Sequence, residues 1–334
     1  NDRLGSRNWG SSGEAGCDGV NGSFGAVGFR PFPKHGIGSS MRGQFLSCAA
    51  AIVVLAAASG SVNAQPAPSP VVFPSEAVPF LRPANSKQTM LFRPSDGAGP
   101  FPAVILLPTC GGMAPHVLDW AERLTKAGYV ALTVESNMPR GIAVSCNRNP
   151  RVKYDDVAAD AAAALEHLRN LPLVKRDSIG LMGFSYGAGA GLRLASGSYR
   201  KRMGLAMEGL RAIASFYPRC YPSGEEYVAR GARRENLTGD IVTPTMLLLG
   251  AKDDESAASE CVTRVDRISR DGKPISYKLY PDTTHAFDDA RNGIQGRSIP
   301  SDRGSFFYRY SPQATEDAWI EVKALFDREL RGGK

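Results

Sequence analysis

The chain has 334 residues, 43 % of them hydrophobic and 22 % charged, with a formal net charge of +7. This is ordinary globular composition, which excludes a largely disordered or collagen-like chain and allows one large domain or two small ones. The densest basic patch, RGARRENL at 230–237, reads as a solvated face rather than a nucleic-acid cluster, so no nucleic-acid partner is expected.

Residues 1–40 are rich in Gly and Ser and precede a candidate initiating methionine, Met41. They are read as upstream or disordered sequence that carries no function. Arg42 then supplies a positive start, Phe45 to Ala58 an apolar run, and Val62-Asn63-Ala64 a site of A-x-A type. This layout predicts a secretory signal peptide over 41–64, its apolar part too short for a membrane span of about 20 residues. The mature protein is expected to be exported, periplasmic or secreted, with no stable membrane association. Residues 65–87 contain PAPSPVVFPSEAVPFLRPAN and read as a Pro-rich extended lead into a folded domain over 88–334.

Within that domain, strand and helix signals alternate. AVILLP (103–108) is a continuous apolar run of buried-strand type, and HVLDWAERLTKAG (116–128) follows as a helix. YVALTV (129–134) is the next strand. In the long helix over 155–171, Val157, Ala161, Leu165 and Leu168 form one stripe. SIGLMG (178–183), AIASFY (212–217), TMLLLG (245–250) and ISYKLY (275–280) are further strands, and Ser311-Pro312 opens a last helix. The order predicts an α/β fold: a mostly parallel, doubly wound sheet covered by helices on both faces, in a single domain.

Four cysteines lie beyond the leader: Cys110, Cys146, Cys220 and Cys261. None forms a CxxC and their wide spacing is wrong for zinc, so no metal is expected. In an exported chain an even number suggests disulfides. The strand order favours Cys110–Cys146 and Cys220–Cys261, because it brings those loops together.

In such a sheet, chemistry gathers at the carboxyl ends of the strands. GFSYG (183–187) sits just past one of them. A G-x-S-x-G turn makes a nucleophile of its serine when a strained strand-to-helix corner pushes Oγ outward and the following helix offers backbone N–H groups. A P-loop would need G-K-[ST], and a dinucleotide fingerprint would open the first βα unit; neither is found, so no cofactor is expected. The serine needs a base. His167 lies inside a helix, and His116 near a helix start is suited to lining or capping. His285, in YPDTTHAFDD, follows a strand end on the side of Ser185. A carboxylate must orient that histidine. Asp253 and its neighbour Asp254 both follow the strand 245–250, and the order serine, acid, histidine is that of the α/β hydrolases. The loop TCGGM after the first strand makes Cys110 the candidate backbone donor to an oxyanion. Arg140 is a candidate clamp for a substrate carboxylate or a member of an ion pair. Phe287 and Tyr186 are candidates for an acyl-pocket wall or for the core.

With these residues in place, the chain resembles the dienelactone hydrolase family of α/β hydrolases over most of 88–330. The resemblance rests on PTCGG, GYVALTVESNMPRG, GFSYGAGAG, LLLGAKDD and YPDTTHAFDD. It implies Ser185 as nucleophile, Asp253 and His285 as its partners, and the backbone N–H groups of Cys110 and Tyr186 as the oxyanion hole. It also implies a small-molecule ester or lactone as substrate. The chain departs from the family in three respects. Serine stands where the best-known members have cysteine, Pro108-Thr109 where many have His-Gly, and export is expected where many are cytosolic. A secreted polyester or acetyl-polysaccharide esterase on the same residues is the runner-up activity, and a non-catalytic binding protein of hydrolase fold is the rival class.

Overall fold

The apolar run after Pro100 forms strand β3 (Phe101–Leu107), whose residues from Pro102 onward are buried on both faces, as a parallel strand in the middle of a sheet requires. The computed structural model describes residues 69–70, 89–147, 150–221 and 236–332, all within one compact unit, Gly60–Lys334. The leader read at 41–64, residues 1–40 and most of the Pro-rich lead lie outside the described residues.

Beside β3 run β4 (Val130–Thr133) and β5 (Val174–Phe184), followed outward by β6 (Leu210–Phe216), β7 (Thr245–Gly250) and β8 (Ile275–Tyr280). These six pair in parallel. Two short strands, β1 (Ser69–Pro70) and β2 (Met90–Phe92), complete one edge in antiparallel fashion, giving the order β1-β2-β4-β3-β5-β6-β7-β8. The architecture is the mostly parallel α/β sheet expected from the alternation.

Because side chains alternate along a strand, each buried strand feeds two cores. Val104 and Leu106 join Met182 under α1 (Pro115–Lys126) and α6 (Pro312–Arg331), through Val117, Leu124 and Phe326. Ile105 and Leu107 join Leu181 on the other face, under α2 (Tyr154–Arg169), α3 (Tyr186–Ala195) and α5 (Ala258–Arg270). A short helix, α4 (Gly197–Met203), follows α3 with the Ser196 hydroxyl capping its Tyr199 N–H. Between β8 and α6 the chain makes a hairpin, β9 (Arg297–Ser301) and β10 (Gly304–Tyr308), which the periodicity did not indicate. Its residues are largely exposed and include Pro300, so they carry no buried-strand signature.

Two of the residues considered for substrate contact are structural. Arg140 closes a single 3₁₀ turn after β4 and points its fork at Asp160 of α2, with N–O distances of 2.7 and 3.0 Å, while also donating to the Ser136 carbonyl at 2.6 Å. It fastens α2 to the end of β4 and is not part of the lining of the two cavities described at Ser185, so the geometry agrees with the ion-pair reading rather than the clamp. Phe287 is fully buried against Tyr280, Tyr217 and Phe216, with ring centroids 5.2–6.1 Å away, so it belongs to the core and not to a pocket wall.

Arg140→Met should take the guanidinium from a buried carboxylate and destabilise the fold by roughly 3–5 kcal/mol. Urea unfolding checks the loss. KM values for a carboxylate-bearing ester and a neutral ester should respond alike, since no substrate charge rests on this residue.

Candidate active site

The geometry at the end of β5 follows from two missing Cβ atoms. A Cβ on Gly183 would lie 2.5 Å from the Gly187 carbonyl oxygen, and one on Gly187 would lie 2.3 Å from the Leu107 carbonyl oxygen. Both are below any real contact distance, so only glycine lets α3 start this close to β3 and β5. Between them Ser185 takes φ 51° and ψ −104°, a conformation that residues other than glycine seldom adopt. Its N–H donates to the Phe216 carbonyl at 2.9 Å, and the Gly187 N–H to the Pro108 carbonyl at 3.1 Å. The corner is thereby tied to both neighbouring strand ends.

His285 reaches Ser185 from the loop after β8. Its Nε2 lies 2.9 Å from Ser185 Oγ and its Nδ1 2.7 Å from Asp253 Oδ2. The His285 and Asp253 side chains are each 2 % exposed. The carboxylate selects the Nδ1–H tautomer, leaving Nε2 to accept the serine proton. Burial alone would lower the imidazole pKa; the Asp253 charge and hydrogen bond outweigh it and hold the value above that of ordinary histidine. The other Asp253 oxygen accepts the N–H groups of Glu255 and Ser256 at 2.9 and 2.7 Å, which fixes the carboxylate.

Asp254, which the sequence could not separate from its neighbour, faces the hairpin and accepts the Phe307 N–H at 3.0 and 3.2 Å. Glu255, passed over in the sequence, receives Arg303 and the Tyr308 hydroxyl from the same hairpin, and one of its oxygens lies 3.8 Å from His285 Nε2. Three consecutive acids thus hold the base and the hairpin together. Only proximity in the fold distinguishes them; their composition does not. The imidazole is flanked by Tyr217 and Tyr308, with centroids at 4.7 and 5.2 Å. Tyr217 is in turn fastened by its hydroxyl to Asp288, 2.7 Å away, which also takes the Trp120 indole N–H at 2.8 Å. Burial and the Asp288 charge keep that phenol protonated.

The loop after β3 is braced on every side. Cys110 is bonded to Cys146, and its carbonyl accepts Ser145 N–H at 2.8 Å and Asn137 Nδ2–H at 2.9 Å. Gly112 N–H returns to the Thr109 carbonyl at 3.0 Å, and the buried Glu135 carboxylate takes Met113 N–H at 2.6 Å. Glu135 was not singled out in the sequence, where it is one acid among 33 acidic residues. The second cystine, Cys220–Cys261, ties the segment after β6 to α5. Tyr186 opens α3 with its N–H beside Ser185, while its ring stacks on Tyr154 with centroids 4.0 Å apart and its hydroxyl donates to Val152 O at 2.9 Å.

Ser185 opens onto two cavities. One, of about 200 Å³, is bounded by His116, Ile299, Phe306 and Tyr308, so the hairpin forms its roof. The other, of about 40 Å³, lies toward Tyr154 and Arg219. Cys110, Cys146 and Glu255 border both. Of the remaining histidines, His116 is buried in the wall of the larger cavity, and His167 is half-buried on α2.

Residues 88–330 match the model of the dienelactone hydrolase family. A "putative carboxymethylenebutenolidase" from Synechocystis sp. is 25 % identical over 247 residues, covering 70 % of this chain and 88 % of the relative. A "probable 2-oxo-3-(5-oxofuran-2-ylidene)propanoate lactonase" from Bradyrhizobium sp. is 25 % identical over 228 residues, 66 % of this chain and 81 % of that one. A crystal structure described as a "putative dienelactone hydrolase" from Klebsiella pneumoniae superposes with a TM-score of 0.57 at 18 % identity, covering 72 % of this chain and 92 % of that chain. That likeness bears on the fold.

Gly187→Ala should force the Leu107 carbonyl away and cost about 1–3 kcal/mol of overpacking strain, lowering Tm by roughly 3–10 °C. Differential scanning calorimetry measures it. An alanine at exposed Gly239, where a Cβ meets nothing within 4 Å, is the control.

Proposed function

This chain belongs to the dienelactone hydrolase family, hydrolases that cleave esters and lactones, and from that premise we propose that it is an exported serine hydrolase working through an acyl-enzyme. Ser185 Oγ attacks the carbonyl carbon while His285 Nε2 takes its proton, and Asp253 stabilises the imidazolium that forms. The carbonyl oxygen becomes an oxyanion facing the backbone N–H groups of Cys110 and Tyr186, each such donor being worth about 3–4 kcal/mol. His285 then hands its proton to the leaving alkoxide. Water, deprotonated by the same nitrogen, releases the acid and restores the serine. In a lactone the leaving alkoxide stays attached, and ring opening precedes hydrolysis of the acyl-enzyme.

The observation that carries this reading is the unbroken relay Ser185–His285–Asp253, with links of 2.9 and 2.7 Å, assembled at the ends of β5, β8 and β7. A binding protein of the same fold would have no need of a buried, correctly oriented base. The hairpin roof and the cavity of about 200 Å³ favour small esters or lactones over a polymer chain. Export is supported by the sequence layout at 41–64 and by the two cystines, which persist in oxidising compartments.

Ser185→Ala should reduce turnover of p-nitrophenyl acetate and butyrate by a factor on the order of 10⁶, effectively to background. Equal rates in the two proteins would remove Ser185 from the chemistry.

The acid limb of kcat/KM should follow from the same relay. His285 must be neutral to accept a proton, and its pKa is raised, so activity should fall as pH drops through a value above that of ordinary histidine. Asp253→Asn removes the charge that raises it, so the limb should move to lower pH while the plateau drops by about 10⁴. A pH–rate profile of both proteins tests the direction.

A further inference from the structure

Ser185 borders two cavities of unequal size, about 200 and about 40 Å³. Cys110, Cys146, Glu255 and Arg303 are shared by both walls. His285 belongs to the wall of the larger cavity and not to that of the smaller, whereas Tyr186, Ser145 and Asn147 border the smaller alone. This asymmetry bears on how an ester must lie.

Attack by Ser185 makes the carbonyl carbon tetrahedral, with four substituents: Oγ, the oxyanion, the leaving oxygen and the acyl group. The leaving oxygen has to come within about 2.6–3.2 Å of His285 Nε2 to receive its proton. It therefore departs on the side of the larger cavity, whose wall includes that imidazole. The acyl group takes the remaining direction, toward the smaller one. The reverse placement would carry the alkoxide into a cavity that the imidazole does not border.

The two spaces also differ in character. One face of the hairpin roofs the larger: Ile299 stands opposite Phe306 and Arg297 opposite Tyr308 in the ladder, and all four line it. The carboxylates of this wall are engaged. Asp289 Oδ2 takes Arg291 at 2.6 Å and lies 3.5 Å from His116 Nδ1, and Glu255 takes Arg303. Ile299, Phe306, Ala286 and Pro300 supply apolar surface that a hydrocarbon group can cover. The smaller cavity, at about 40 Å³, is little above the ~30 Å³ that one water molecule occupies in the liquid. A methyl or ethyl group suits that space, and a long chain does not.

Resting on the reading of Ser185 as nucleophile, we propose that the two cavities separate the two halves of the ester. The alcohol half fills the hairpin-roofed cavity and the acyl half the small one, so the preferred class is short-acyl esters of larger, apolar alcohols. Ile299 and Phe306 determine specificity for the alcohol, and the wall at Asn147 limits the acyl chain.

The test measures kcat/KM of the full chain on two substrate series. The acyl series is p-nitrophenyl acetate, butyrate and hexanoate; the alcohol series is ethyl, butyl and 2-phenylethyl acetate, followed by acid release. In the parent the rate constant should fall by about tenfold or more from acetate to hexanoate and rise by about as much from ethyl to 2-phenylethyl acetate. Ile299→Trp, on a half-buried hairpin strand that accepts aromatics, fills the larger cavity. It should remove the preference for 2-phenylethyl acetate and leave the acetate-to-hexanoate ratio alone. Asn147→Ala should do the opposite, relaxing the acyl ratio only. A general loss of stability would lower every rate together and leave both ratios unchanged. An acyl series that is flat or rises with length in the parent overturns the assignment, as does an Ile299→Trp protein whose acyl ratio moves in place of its alcohol ratio. If Ser185→Ala is inert while these ratios fail, only this inference falls. A parent inactive on every ester, or a Ser185→Ala protein as active as the parent, overturns the nucleophile reading and this one with it.

Discussion

The contact on which the rest of the site depends is a steric one, the approach of the Gly187 Cα to the carbonyl end of β3. No side chain fits there, since a Cβ would lie 2.3 Å from Leu107 O. That approach starts α3 directly against the central strands, and Ser185 leaves the extended conformation of β5. The strained φ of 51° is held because the strand ends on either side accept the Ser185 and Gly187 N–H groups. Strain at such a corner persists only where surrounding structure over-determines it. Here two buried strands and two hydrogen bonds do so, and the direction of the Ser185 side chain follows.

The second organising feature is the run Asp253-Asp254-Glu255 after β7. Each acid faces a different partner: the imidazole, a hairpin N–H, and the hairpin's Arg303 and Tyr308. The base and the cavity roof are therefore positioned by one short loop. Its own geometry is set by the two N–H groups that Asp253 accepts from Glu255 and Ser256.

The loop after β3 follows the same logic with different chemistry. A glycine-rich turn is intrinsically loose. Cys110–Cys146, the Glu135 carboxylate and Asn137 remove that freedom. Preorganised donors of this kind are effective because they need no reorganisation when charge develops. The brace is covalent, and cystines persist mainly in oxidising compartments.

Much of this was legible in one dimension. Apolar runs identified the five buried strands β3 to β7, because parallel strands inside a sheet bury both faces, and β-strand chemistry marked the half-exposed edge strand β8. The glycines at 183 and 187 marked the corner, because no other residue satisfies its sterics. The three catalytic candidates could be ordered, because each must follow a strand end. What the chain order could not decide was every choice between chemically equivalent neighbours. Asp253 and Asp254 differ only in which direction the loop turns them, and Arg140 differs from a substrate clamp only by having Asp160 within 2.7 Å. The hairpin roof was invisible because its strands are exposed and carry no apolar alternation. Glu135, Glu255 and the pairing of His116 with Asp289 were likewise hidden, because they are contacts across long sequence separations. Periodicity records which faces are buried. It cannot record which buried polar atoms meet, and that meeting is decided only when the strands take their order in the sheet.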